Sequence, residues 1–83
     1  MTVYAIVGQI EGGYDSDLET IQTLGFKVGD RFTVKSIDMG QSSTHVSLNE
    51  HLGGFNSIYF NFEEDGQPLN IFNDRRFNPY LRP

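Results

Sequence analysis

The chain has 83 residues, no cysteine, and eleven acidic against six basic residues, for a net charge of −5. This length builds one domain around one small core and is too short for two ordinary ones. The missing thiols exclude disulfides, thiolate metal sites and cysteine nucleophiles, and the acidic balance disfavours general binding to a phosphate backbone, which needs clustered cations.

Residues 3–7, Val-Tyr-Ala-Ile-Val, read as a strand ending at Gly8. Side chains alternate faces in a strand; both faces are apolar here, so a central position is expected. Glu11-Gly12-Gly13-Tyr14-Asp15 reads as a loop whose glycines are free to take positive φ. Residues 16–24 fit one short helix. Ser16 and Glu19 match a capping box, Leu18, Ile21 and Leu24 recur at three-residue spacing, and Gly25 suits the position after the helix. The competing reading is an irregular loop ending in a short strand, because Thr20, Ile21 and Thr23 are poor helix formers.

The run Gly25-Phe26-Lys27-Val28-Gly29-Asp30-Arg31-Phe32-Thr33-Val34 reads as a tight turn feeding a strand. Phe32 and Val34 are expected inward, with Arg31, Thr33 and Lys35 facing solvent. Ile37 has the opposite parity, so a bulge near Ser36 is predicted. Residues 38–43 form a turn. Residues 44–48 form a strand with Val46 and Leu48 inward and His45 and Ser47 outward. After a break at 49–54, residues 56–62 resume the sheet, with Ile58, Phe60 and Phe62 on one face and Tyr59 and Asn61 on the other. Glu64-Asp65-Gly66-Gln67-Pro68 is a strong turn signal, and residues 69–72 supply the last antiparallel strand. Residues 73–83 form an irregular tail, which Pro79 and Pro83 keep from being a regular helix or interior strand.

Five short strands and one helical turn must close or pack face to face to bury one side each. The expected fold is all-β, a single small domain built as a five-stranded SH3-like barrel, with an OB-like barrel as the alternative. The glycine–aspartate turn before an aromatic-led strand, within residues 26–62, resembles SH3-like domains. The whole chain, with its closing Arg75-Arg76-Phe77-Asn78-Pro79-Tyr80 and its Met39-Gly40-Gln41-Ser42-Ser43-Thr44, resembles small uncharacterised proteins of bacteriophages and integrated mobile elements. That resemblance implies a protein that binds a host protein and inhibits or redirects it.

No pattern calls for a catalytic residue, a metal or a cofactor. Asp15, Asp17 and Glu19 do not continue into a calcium loop, His45 and His51 lack zinc spacing, and no phosphate loop or nucleophile elbow exists. Phe26, Phe32, Phe60 and Phe62 are expected in the core. Tyr14, Phe55 and Tyr59 fall off that face or in loops, where aromatics anchor interfaces. Asp15 and Asp17 beside Tyr14 suit a basic protein partner. In the tail, Arg75 and Arg76 either pair with acids of the barrel while Phe77 and Tyr80 fold back over it, or these four residues dock on a partner. The expected function is a cytoplasmic, non-catalytic protein-binding module. The alternatives are an assembly subunit of an oligomer or virion, and a nucleic-acid-binding domain should Lys27, Arg31, Lys35, Arg75 and Arg76 converge. No apolar run reaches bilayer length, and Met1-Thr2-Val3-Tyr4 lacks a basic leader region.

Overall fold

The apolar run at the start of the chain forms the centre of a six-stranded antiparallel sheet in a computed structural model, which describes residues 2–81. The strands are β1 (Val3–Val7), β2 (Arg31–Met39), β3 (Thr44–Leu48), β4 (Gly54–Asn56), β5 (Phe60–Glu64) and β6 (Gln67–Leu69), in the order β4-β3-β2-β1-β5-β6. One helix, α1 (Asp15–Thr23), follows β1, and single 3-10 turns at Ser57–Tyr59 and Ile71–Asn73 follow β4 and β6.

Two expectations need correction. The strands number six rather than five, and the sheet is open, with β4 and β6 as its edges, so it is neither an SH3-like nor an OB-like closed barrel. Each edge strand is three residues long and runs directly or nearly so into a 3-10 turn. Such turns satisfy backbone groups locally, as when Phe60 N–H bonds Ser57 O and Asp74 N–H bonds Ile71 O, and pairing stops there.

The sheet nevertheless curls around one core. Val3, Ala5 and Val7 bury one face of β1, joined by Met39, Val46, Leu48, Phe55, Phe60 and Phe62 from the other strands. From α1 comes Ile21, and Phe26, Tyr59 and Ile71 enter from turns. Phe26 is the hub of an aromatic cluster, its ring centre 4.8 Å from Phe32, 4.9 Å from His51 and 5.4 Å from Phe55. Full burial of each such side chain stabilises by roughly 1.5–3 kcal/mol.

The curl begins at the predicted bulge. Pairing along β2 and β3 steps from Val34↔Leu48 to Ser36↔Ser47, leaving Lys35 as the extra residue, and Met39 is buried beyond it. The first half of β2 pairs with β1 and the second half with β3. At the other end of the sheet Asp65 and Gly66 both take positive φ, the pairing of a two-residue hairpin loop, and Pro68 sits in edge strand β6 where its missing N–H is tolerated.

Helix α1 ends as its sequence suggests and begins differently. Gly25 at φ 72° donates its N–H to Gln22 O at 3.1 Å, and Phe26 N–H reaches Ile21 O at 3.2 Å. These two bonds form a Schellman stop, sealed by apolar Ile21 and Phe26. The capping box of Ser16 and Glu19 does not form. The N-cap is Tyr14, which makes no side-chain cap bond, and Ser16 lies inside the first turn with Asp15 and Asp17. Those acids complement the helix dipole instead. No helix among the described residues is long and apolar enough to cross a membrane.

Gly25→Ala is predicted to cost about 1 kcal/mol by backbone strain alone, since its Cβ would meet open space. Gly13→Ala is predicted to cost more, because its Cβ would stand 2.6 Å from Tyr59 Oη and 2.8 Å from Ile58 Cδ1. Urea unfolding of both variants checks the order; a Gly13→Ala loss no larger than that of Gly25→Ala contradicts it.

Candidate functional site

Seven large apolar side chains are exposed among the described residues: Tyr14, Leu24, Val28, Leu52, Ile58, Phe72 and Tyr80. Tyr14, Ile58, Phe72 and Tyr80 line one open groove of about 650 Å³, together with Met39, the 40–43 loop, Thr44, Asn56 and Ser57. Tyr14 is 70% exposed and the other three close to half. Scattered single apolar residues on a surface are normal; the gathering of four in one concavity makes this groove the candidate site.

Three of the four owe their position to the same local device. Asn56 Oδ1 accepts from Ile58 N–H at 3.2 Å, Asn70 Oδ1 from Phe72 N–H at 3.0 Å, and Asn78 Oδ1 from Tyr80 N–H at 2.9 Å. In such an Asx turn the side chain bonds the backbone two residues on, replacing a sheet or helix bond. At Asn56 and Asn70 the chain passes from strand into 3-10 turn, Asn78 makes the same turn within the tail, and in each case the apolar residue two positions later faces out. Asn56 also donates through Nδ2 to Asp17 Oδ2 at 3.2 Å, tying α1 to this turn. Asn78 Nδ2 donates to Phe72 O at 2.7 Å, tying the tail to the second 3-10 turn.

Tyr14 is held from below. Tyr59 is wholly buried, and its hydroxyl donates to Gly12 O at 2.9 Å. Gly12 and Gly13 both take positive φ at this point. Gln9 Nε2 donates to Ile58 O at 3.0 Å and Gln9 Oε1 accepts from Glu11 N–H at 2.8 Å, so the loop carrying Tyr14 is fastened to the turn carrying Ile58. Burial pushes the Tyr59 phenol above its ordinary pKa, and the Asp17 charge adds to the shift.

The residues proposed from sequence separate into three groups. Tyr14 and Tyr80 come together in the groove, with exposed Asp15 next to Tyr14 and half-buried Asp17 bonded to the lining Asn56. Phe55 and Tyr59 are not exposed anchors: both are core residues. Phe55 packs on Phe26, and the 3-10 turn rotates Ile58 outward and Tyr59 inward, reversing the alternation expected of a strand. In the tail, Phe77 is half-buried against the core and Arg76 pairs with Glu64 and Asp74, while Arg75 is exposed. Ile58 and Phe72 were missed; their signal is the asparagine two places before each.

Glu50, His51, Arg31 and Arg76 are engaged in structural contacts. Both oxygens of Glu50 accept from Thr33 N–H at 3.0 Å, and Oε2 accepts from the Thr33 hydroxyl at 2.6 Å. The hydroxyl bond, more than any other contact, holds this carboxyl below its ordinary pKa. His51 packs edge-on among Phe26, Phe32 and Phe55, and His45 sits half-buried on β3. Arg31 stacks on Tyr4 at 4.1 Å and pairs with Glu63 at 3.4 Å. With Arg76 also paired, two of the five cations considered for nucleic acid lie against carboxylates. Among the described residues no three His, Asp or Glu gather as metal ligands would.

The chain belongs to the family of bacteriophage T4 protein Y07B, whose family model matches residues 2–83. This agrees with the resemblance to small phage proteins seen in its sequence. No curated protein and no solved structure matches it.

Tyr59→Phe keeps the buried ring and removes the bond to Gly12 O. It is predicted to lower stability by about 1 kcal/mol and to speed amide exchange in residues 11–14 more than in β1 or β5. Exchange measured residue by residue by NMR checks this; a uniform change, or none at 11–14, contradicts it.

Proposed function

We propose that this phage protein is a non-catalytic protein-binding module that acts in the cytoplasm of the host cell. Its groove takes an extended, basic segment of a host protein, which is thereby inhibited or redirected. The observation that carries the reading is the convergence of Tyr14, Ile58, Phe72 and Tyr80 on one groove. Aromatic side chains bury large areas while losing few rotamers, which is why they dominate the energetics of interfaces.

The charge argues for the sign of the partner. Among the described residues no Lys or Arg lines the groove, Asp15 flanks Tyr14, and the chain as a whole carries −5. A negative surface speeds encounter with a cationic partner and disfavours an anionic one. Ser42, Ser43 and Gln41 on the facing loop add side-chain hydrogen-bonding groups around the apolar strip, the mixture of apolar contact and polar orientation that recognition sites use.

The test is capture from nuclease-treated host lysate by the tagged chain, its Tyr14→Ser/Phe72→Ser double variant, and a Leu52→Ser control outside the groove. The reading predicts one stoichiometric protein held by the parent and the control, with affinity lower by at least about tenfold in the double variant. It also predicts weakening as salt is raised. Equal capture by the double variant overturns the groove, and a parent that instead runs as a defined oligomer with no partner favours an assembly role.

A further inference from the structure

We infer that Arg76 and Asn78 are positioning residues which clamp the tail against the sheet and so build the Tyr80 wall of the groove. The inference rests on reading the groove as a binding site. The Arg76 guanidinium meets the Glu64 carboxylate with two parallel bonds, Nη1 to Oε2 at 2.7 Å and Nη2 to Oε1 at 2.8 Å. It also reaches Asp74, from Nη2 at 2.6 Å and from Nε at 3.0 and 3.1 Å. One side chain thus joins the end of β5 to the start of the tail. Single exposed ion pairs contribute little, but a planar fork on two carboxylates fixes direction as well as distance. Bonding to Arg76 holds both Glu64 and Asp74 below the ordinary carboxylate range.

From that anchor the tail is laid down residue by residue. Asp74 O accepts from Phe77 N–H at 3.1 Å and from Asn78 N–H at 2.8 Å. Phe77 packs against the core, with the Arg76 guanidinium 5.1 Å from its ring centre. Asn78 then works in two directions, donating to Phe72 O at 2.7 Å and accepting from Tyr80 N–H at 2.9 Å. Phe72, Asn78 and Tyr80 all line the groove. Released from Arg76, the segment carrying Asn78 and Tyr80 would lose its anchor and the groove would lose that wall, so the site exists in full only while the tail is docked. Arg75, one position earlier and exposed, makes no bond in this network and serves as the matched control.

The experiment uses the full chain with Arg76→Met, Arg76→Lys, Asn78→Ala and Arg75→Met, read first by amide exchange in the free protein. Arg76→Met and Asn78→Ala are expected to speed exchange at Tyr80 by about tenfold or more, leave β1 and β2 unchanged, and shift the resonances of Ile58 and Phe72. Arg76→Lys, which keeps the charge without the fork, is expected to recover part of the protection, and Arg75→Met to match the parent. Unchanged protection at Tyr80 in Arg76→Met overturns the inference, as does an equal acceleration throughout the sheet. Capture from host lysate is the second reading. If the parent holds a partner, Arg76→Met should hold it at least about tenfold less tightly; equal capture overturns the clamp's part in binding. If the parent holds none, the groove reading fails and the exchange data alone decide the clamp.

Discussion

Three asparagine side chains, Asn56, Asn70 and Asn78, each bond the backbone N–H two residues on, and the surface of this protein depends on those bonds. Each satisfies a backbone donor that has no partner in a strand or helix, and each is followed at the second position by Ile58, Phe72 or Tyr80. Burying a side chain of this size is worth roughly 1.5–3 kcal/mol. A small domain has few such residues to spare, so leaving these three and Tyr14 on one groove forgoes core stabilisation. A covering partner would recover it, which is the physical motive for reading the groove as a contact site.

Tyr59 is the counterpart within the core. The turn that sends Ile58 out brings Tyr59 in, and its ring is fully buried. A buried phenol needs a hydrogen-bond partner, and Gly12 O supplies it. The consequence reaches the surface, because Gly12 lies two residues before Tyr14. Core packing, loop geometry and groove lining are therefore coupled through one hydroxyl, with Gly13 so close to that hydroxyl that a side chain there would collide with it.

Much of the fold was legible where one rule acted alone. The parity change at Ile37 called for a bulge and Lys35 is one; the turn signal at residues 64–68 called for a hairpin, although its second strand is Gln67–Leu69 rather than residues 69–72; Gly25 called for a helix stop. The errors arose where a local side-chain bond competed with periodicity. Strand alternation carried through residues 57–59 placed Ile58 inward and Tyr59 outward, the reverse of what the Asn56 turn produces. The helix began one residue before Ser16, which removed the capping box. Strand count alone suggests closure into a barrel; the residues that oppose it are Asn56 and Asn70, which cap the 3-10 turns where both edge strands stop. Of the candidate site, Tyr14 was readable as an exposed aromatic, while Tyr80 stayed open between folding back on the domain and docking on a partner; their convergence was not readable, since it depends on the Arg76–Glu64 pair that ties the tail to β5.

The most direct measurement is photo-crosslinking from inside host cells, with benzoylphenylalanine placed in turn at Tyr14, Tyr80 and Leu52. The account predicts one and the same host protein joined from both groove positions and not from Leu52, which is almost fully exposed but lies outside the groove. Crosslinks from Leu52 alone, or different proteins from Tyr14 and Tyr80, would contradict it.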